Sequence, residues 1–597
     1  MTKILKKLPI EVSDFKSVIE KNFVYADKTD LLYNLITYRD NVKSFFLSRP
    51  RRFGKSLLLD TLSEIFNGDR NLFKGLKIDD TDYDFQKYPV LIFNMNVSSD
   101  SPETLKLAIV DSLRLMLKKE NLKLESTTPT AALQELLEGV YHKYKKNIVV
   151  LIDEYDDAVS SNIDNEILAK ENSKILRTFY SGFKTYNRIM RFAFVTGVTR
   201  YAMMGISAGF NYLTDITLKP EYSTICGFTP EELDLNFSER YPLVLNTLNE
   251  KGYLSTKLWS SYISPKLVQS QDKANIDDQA VRIWSDLKTV EDLKTEILNW
   301  YDGYSWDGKN YVLNPVAVMK FFHEAAFEHY WEKTNPSTNI ITKLLKTTPF
   351  EFTMDKLQSV LQRDILDTEV GELKPVPLFF QTGYLTVNNV TCNDGEYLYS
   401  FKVPNLELKK HFYSMLNNAI FKRLTEDNDK IQIMSELKKA LFSKDGETLT
   451  GIMSAYFAGM PPVLQSRLII DDCSLEAKPN YNEHFFHQLL WSLFWSINPK
   501  TRAEEPGATG TPDLIVPLND TSIAVIEIKY DKTTNTEEAN TILNKLAIKA
   551  LDAIKKKKYG ENYKLPWNNV ISIGVGVCGR GDVLALFGDT AVNINNK

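Results

Sequence analysis

The sequence predicts a multidomain α/β protein, with a parallel-sheet domain first, a helical middle region and a second α/β domain last. Three observations predict it. Short apolar runs alternate with amphipathic helical stretches in the first third. The middle loses that alternation and becomes helical and aromatic-rich. The last part regains it, with two closely spaced apolar runs, a long helical stretch and a further apolar run.

Taken in order, Ser44–Ser48 (SFFLS), Val90–Asn94 (VLIFN), Ile148–Ile152 (IVVLI) and Arg191–Thr196 (RFAFVT) read as strands, and Ser56–Phe66 and Pro102–Leu117 as helices. Strands separated by helices of this length form parallel sheets. Runs that are apolar without alternation belong to strands covered on both faces. This first domain spans 1–228. From Thr229 to Phe442 the pattern is mostly helical and is broken by turns at Asp302-Gly303 and Asp307-Gly308. It reads as a helical lid over 229–345 and a mixed accessory region over 346–460. The last domain, 461–597, holds a helix over Tyr481–Ile497, strands at Asp513–Pro517 and Ile523–Lys529, a long helix over Asn540–Lys557 and a strand at Val570–Val577. Trp306 and Trp331 read as core residues of the middle, with base stacking as the alternative use of such rings.

Composition narrows the function classes. The chain has 597 residues, 43% hydrophobic and 25% charged, as soluble globular proteins do. The net charge is −5 and the pI about 5.9, so any nucleic-acid site is a local basic cleft rather than a global field. Cys226, Cys392, Cys473 and Cys578 form no CxxC pair, which indicates neither a zinc site nor a disulfide framework and fits a reducing cytoplasm. No apolar run approaches the roughly 18 residues that span a bilayer, and Met1–Phe15 has no apolar core of a secretory signal. The expected partners therefore include no membrane.

Chemistry concentrates in two places. Ser48-Arg49-Pro50-Arg51-Arg52-Phe53-Gly54-Lys55-Ser56 follows a strand and opens a helix, and ends as a phosphate-binding loop ends. Gly54 allows close backbone approach, Lys55 reaches β- and γ-phosphates, Ser56 binds Mg²⁺, and the helix N-terminus favours an anion. Arg49 stands where the usual pattern has its first glycine, so a basic turn before a buried helix remains the plainer alternative. The run ending in Asp153-Glu154 supplies the second half: Asp153 holds Mg²⁺ and Glu154 polarises the attacking water. The strand end Thr196–Arg200 follows, where Thr199 can meet the γ-phosphate and Arg200 can stabilise transferring charge; a solvated arginine is the alternative.

The second place is Pro512-Asp513 followed by Glu527-Ile528-Lys529. A hairpin pairing of the two strands would bring Asp513 and Glu527 together, and period-two alternation puts Glu527 and Lys529 on one face. Two carboxylates there bind Mg²⁺, or Mn²⁺ in its place, and the lysine orients water or stabilises developing charge. Glu483 on the preceding helix is a third acid. Lys555, Lys556, Lys557 and Lys558 form either a solvated face or a contact to a phosphate backbone.

Together these motifs resemble a bacterial family of AAA-ATPase-like proteins fused to a PD-(D/E)XK nuclease domain. Tyr25-Ala26-Asp27-Lys28-Thr29, Arg49–Ser56, Asp153–Asp156, Gly209–Asp215 and Trp300–Tyr304 look like its successive signatures, and Glu483, Asp513, Glu527 and Lys529 fall on its nuclease positions. The resemblance implies an AAA-like N-terminal fold, a restriction-endonuclease-like C-terminal fold, ATP and Mg²⁺ as cofactors, a nucleic-acid substrate, and a role in defence against, or traffic with, mobile genetic elements. A departure is the stretch Ala550–Ile554, which lacks the glutamine often found there. The leading expectation is ATP-controlled cleavage of DNA or RNA. The alternatives are an ATP-dependent signalling or docking module with a non-cleaving nuclease fold, and a motor that needs Arg200 or the Arg51/Arg52 pair as a finger within a homo-oligomer.

Overall fold

The computed structural model describes residues 5–10, 12–38, 43–163, 165–200, 203–210, 212–250, 289–331, 360–366, 375–393, 395–408, 411, 427–458, 483–498, 501–503, 512–519, 522–533, 536–557, 569–579 and 581–588. Cys473, Asn211, Tyr481, Lys558 and much of 346–460 lie outside the described residues. The described residues up to 247, with 289–331 and 360–408, make one compact unit; those from 411 on make a second. The middle segments up to 408 thus pack into the same unit as the N-terminal sheet.

The first unit is built on five parallel strands in the order β2-β3-β4-β1-β5: β1 (Ser44–Ser48), β2 (Val90–Asn94), β3 (Ile148–Asp153), β4 (Met190–Gly197) and β5 (Leu213–Asp215). Helices α1 (Lys55–Asn67), α2 (Pro102–Lys119), α3 (Pro129–Tyr144) and α4 (Glu166–Ser181) connect or cover them. β1 and β3 are buried at every residue, as their unbroken apolar runs required. β2 corrects that expectation: its exposure alternates and Ile92 is 43% exposed, because it is the edge strand and one face stays open. The helices start where local chemistry says. Ser101 accepts from the Thr104 amide ahead of Pro102, and α1 opens at Gly54, whose φ of +91° suits glycine alone.

The middle contributes α5 (Val290–Tyr301) and α6 (Pro315–Glu324), with capping by Thr289 and Asn314, and a small antiparallel sheet in the order β6-β8-β7. Its strands are β6 (Val360–Leu361), β7 (Thr386–Asn393) and β8 (Glu396–Lys402). Trp306 and Trp331 are buried, as expected of core residues.

The second unit holds α7 (Asp427–Ser443), α8 (Gly446–Ala458), α9 (Glu483–Trp495) and α10 (Thr536–Lys556) about a mixed sheet in the order β13-β12-β11-β10-β9. The strands are β9 (Arg502–Ala503), β10 (Leu514–Pro517), β11 (Ser522–Asp531), β12 (Asn569–Cys578) and β13 (Asp582–Phe587). β10 and β11 pair antiparallel, while β11 and β12 are parallel and joined through α10, which is the connection parallel strands need. One face of β11 (Ala524, Ile526, Ile528) packs into a core with Phe486, Leu490 and Leu493 of α9 and Met453 and Tyr456 of α8. Each such large side chain contributes roughly 1.5–3 kcal/mol on burial. The opposite face carries Val525, Glu527 and Lys529, and this alternation is what frees the two charged residues from the core.

Candidate functional site

In the first unit the sheet order does the assembling. β4 lies between β1 and β3, so the ends of all three meet beside the start of α1. The Ser56 hydroxyl donates to Asp153 Oδ2 at 2.6 Å, and the Thr196 hydroxyl donates to Asp153 Oδ1 at 2.6 Å. Lys55 is buried and its ammonium donates to the carbonyls of Arg49 (2.8 Å) and Pro50 (2.9 Å), inside the loop it closes. Burial pushes its pKa down. Glu154 follows the strand with φ +53°, a left-handed conformation that turns its side chain away from the strand direction. Burial pushes its carboxyl up, against a hydrogen bond from Asn96.

Two of the surrounding cations, Arg51 and Arg200, are tied into the frame. Arg51 pairs with Asp157 at 2.7 Å, and Arg52 holds φ +68°. Arg200 is buried, forms an ion pair with Asp215 and donates to the Leu366 carbonyl at 3.0 Å. The Thr199 amide donates to Asp156 at 2.6 Å. Thus Lys55, Ser56 and Asp153 converge with Glu154 close by, whereas Thr199 and Arg200 are engaged by Asp156 and by the middle segment. Thr196 enters through the order of strands, which no sequence spacing gives.

In the second unit Leu514 faces Ile526, so Asp513 comes level with Glu527 across the hairpin. Asp513 Oδ2 accepts from the Ile528 amide at 2.7 Å, and its carbonyl accepts from His487 Nε2 at 2.6 Å. Lys529 Nζ donates to Glu483 at 3.0 Å and to the Ile528 carbonyl at 2.7 Å, and lies 3.4 Å from Glu527 Oε1. Lys557 Nζ lies 4.0 Å from the same oxygen. Glu527 is 2% exposed, and its Oε2 is buried without a hydrogen-bond partner. Burial, then the charge of Asp513, raises the Glu527 carboxyl, and burial raises that of Asp513. For Lys529 burial opposes the charge, but the hydrogen bond and charge of Glu483, with Glu527 and Asp513, outweigh it and the pKa rises.

No group of three or more His, Cys, Asp or Glu among the described residues is arranged to hold a metal ion. Two carboxylates suffice for Mg²⁺, which keeps several waters and takes further ligands from a phosphate. The orphaned Glu527 Oε2 beside Asp513 fits that role, since the lysines at Oε1 leave this buried oxygen without a partner. In the first unit the Ser56–Asp153 pair has the donor set that holds Mg²⁺ in phosphate-loop NTPases.

Comparison with known proteins matches this layout. Residues 9–207 match the family model described as Predicted AAA-ATPase, and residues 481–585 that of the PD-(D/E)XK nuclease superfamily. One chain therefore unites an ATPase-like and a nuclease-like region, the combination the sequence resemblance implied. The chain is 28% identical over 576 residues to an uncharacterized protein in the vnfD 5′ region of Azotobacter chroococcum mcd 1, covering 96% of each. Among solved structures it is similar to a chain in the structure of Drosophila ORC bound to GC-rich DNA and Cdc6, at 13% identity, over 52% of this chain and 93% of that one. The TM-score of 0.20 is too low for that likeness to carry structural weight. No described helix is long and apolar enough to cross a membrane.

Proposed function

We propose that the protein binds and hydrolyses ATP in its first unit and cleaves nucleic acid in its second, with the ATP state controlling cleavage. The observation that carries the reading is the pair of charge clusters in one chain: Lys55, Ser56, Asp153 and Glu154 in one unit, Asp513, Glu527 and Lys529 in the other.

In the first unit Lys55 exchanges its loop carbonyls for β- and γ-phosphate oxygens, Ser56 and Asp153 hold Mg²⁺, and Glu154 accepts the proton of the attacking water. Its burial-raised pKa makes it a better base than a solvated glutamate. In the second unit Asp513 and Glu527 hold Mg²⁺, which supplies charge neutralisation at the phosphate and a water of lowered pKa. Lys529, fixed by Glu483, orients the attacking water and meets charge developing on the phosphate. Activity against mobile genetic elements is the biological setting we favour.

The test uses purified full chain with supercoiled DNA, single-stranded DNA and structured RNA, each with Mg²⁺ or Mn²⁺ and with or without ATP. Asp513→Ala and Lys529→Ala lower cleavage by about 100-fold or more and keep ATP hydrolysis. Lys55→Ala abolishes ATP binding and alters cleavage. Variants that still cut place the nuclease site elsewhere. ATP binding with no cleavage of any substrate would instead make the protein a signalling or docking module.

A further inference from the structure

His487 is the odd residue of α9. The helix reads EHFFHQLLWSLFW, and Phe486, Leu489, Leu490, Leu493 and Phe494 are buried in the core of the second unit. His487 is only 3% exposed in their midst. A buried imidazole without hydrogen bonds is costly, so its partners define its use. Nε2 lies 2.6 Å from the Asp513 carbonyl oxygen. A carbonyl only accepts, so Nε2 carries the proton.

Asp513 needs that support. Pro512 before it has no N–H, and β10 begins only at Leu514, so the ladder does not hold this residue. Two contacts fix it: the His487 bond to its carbonyl and the Ile528 amide bond to its carboxylate. One helical turn earlier, Glu483 fixes Lys529. Residues four apart lie on one helix face, so a single face of α9 sets both Asp513 and Lys529 against Glu527.

We propose that His487 is a positioning residue of the nuclease-like site, holding the Asp513 backbone so that its carboxylate and that of Glu527 share one divalent cation. The inference rests on the nuclease reading of that site and extends it to a residue that touches neither metal nor substrate.

The experiment measures Mn²⁺ binding to the full chain by electron paramagnetic resonance, in an Asp153→Asn background that removes the ATP-site contribution. His487→Phe fills the volume without a donor and should weaken Mn²⁺ binding about 10-fold, the usual loss when support of a ligand is removed. His487→Gln offers an N–H at similar reach and should restore most of the affinity. His487→Asn keeps a donor but falls short, and should bind as weakly as the Phe variant. The contrast of Gln with Asn carries the test even where Phe impairs folding. Equal Mn²⁺ affinity in all three variants would overturn the proposal. So would Gln binding no better than Asn, since packing alone would then explain the histidine. Glu527→Gln separates the two readings. If it removes Mn²⁺ binding while the His487 variants do not, only the positioning role falls; if it too leaves binding intact, the metal site itself is misassigned and both fall.

Discussion

Arg49 shows what one residue changes. It stands where a phosphate loop usually has its first glycine, yet it is fully buried. Its guanidinium donates to the carbonyls of Ser48 and Thr217 at 2.9 Å and Tyr222 at 3.0 Å, and lies 3.9 Å above the Trp306 ring. Burial brings its pKa down to about 10, so it stays charged at neutral pH. The arginine ties down the loop start where a glycine would only allow it to bend. Asp302 is the opposite case, a half-buried carboxyl whose desolvation outweighs the Gly303 amide and the charge of Lys402. Its Oδ1 has no partner, and burial raises its pKa to about 6 from 3.8. A raised carboxyl favours the fold below the unfolded pKa, and that favour is lost as pH rises through the folded value. Asp302→Asn should therefore stabilise the first unit at neutral pH by about 1–2 kcal/mol, after discounting for partial solvent contact. The melting-temperature gap between variant and parent should open between pH about 4 and about 7. A gap independent of pH would mean that Asp302 ionises without penalty. The placement of Lys55, Ser56, Asp153, Asp513, Glu527 and Lys529 on or beside apolar strands was legible in the sequence, because the apolar runs mark those strands. The roles of Arg49, Asp302 and His487 were not, since they depend on burial by distant segments.

At the scale of elements, the seating of α10 is decided by two small residues in β12. Gly574 lies opposite Glu527 and Gly576 opposite Lys529 in the parallel ladder. A Cβ at Gly574 would stand 2.2 Å from the Ala547 carbonyl oxygen, and one at Gly576 2.4 Å from that of Leu543. The helix can press onto β12 only because those side chains are missing, which sets where α10 runs beside the charged pair on β11. Glycine inside an apolar strand marks close backbone approach, and Gly574 and Gly576 do so here. Gly574→Ala should destabilise the second unit by about 1–3 kcal/mol through overpacking against backbone, which cannot yield as a flexible side chain can. Denaturant unfolding followed by fluorescence measures it, and an unchanged midpoint would show that α10 is free to shift. The elements themselves were largely legible: all four strands expected in the first third and all three in the last form. Strand order was not, because periodicity reports which face is buried and says nothing of neighbours. That is why the meeting of Thr196 with Asp153, and the open face of β2, came only from the fold.

On the scale of the whole molecule, the phosphate loop is held by residues some 250–330 positions away in sequence. The Phe53 ring meets Tyr304 edge-on at 4.7 Å and Trp306 at 5.6 Å, and Trp331 Nε1 donates to the Arg51 carbonyl at 3.2 Å. Pro50 packs where Gly383 leaves room, its ring carbons 2.9 Å from where a Cβ would stand. Arg200 adds a further tie, its amide donating to Gln381 Oε1 and its guanidinium to the Leu366 carbonyl. On the proposed reading, a loop that reshapes to take a phosphate is thereby coupled to middle segments that the sequence assigns to a helical lid (229–345) and a mixed accessory region (346–460). Removing one tie should change nucleotide affinity without touching the residues that meet phosphate. Trp331→Phe keeps an aromatic ring in the core but deletes the donor to Arg51. A hydrogen bond of this kind contributes about 1 kcal/mol net, so ATP affinity should change by roughly fivefold. The direction tells which state the tie favours: weaker binding if Trp331 preorganises the loop for phosphate, tighter binding if it holds the closed form in which Lys55 faces its own carbonyls. Titration calorimetry with ATP reads both, and an affinity unchanged within twofold would show that the loop moves independently of the middle segment.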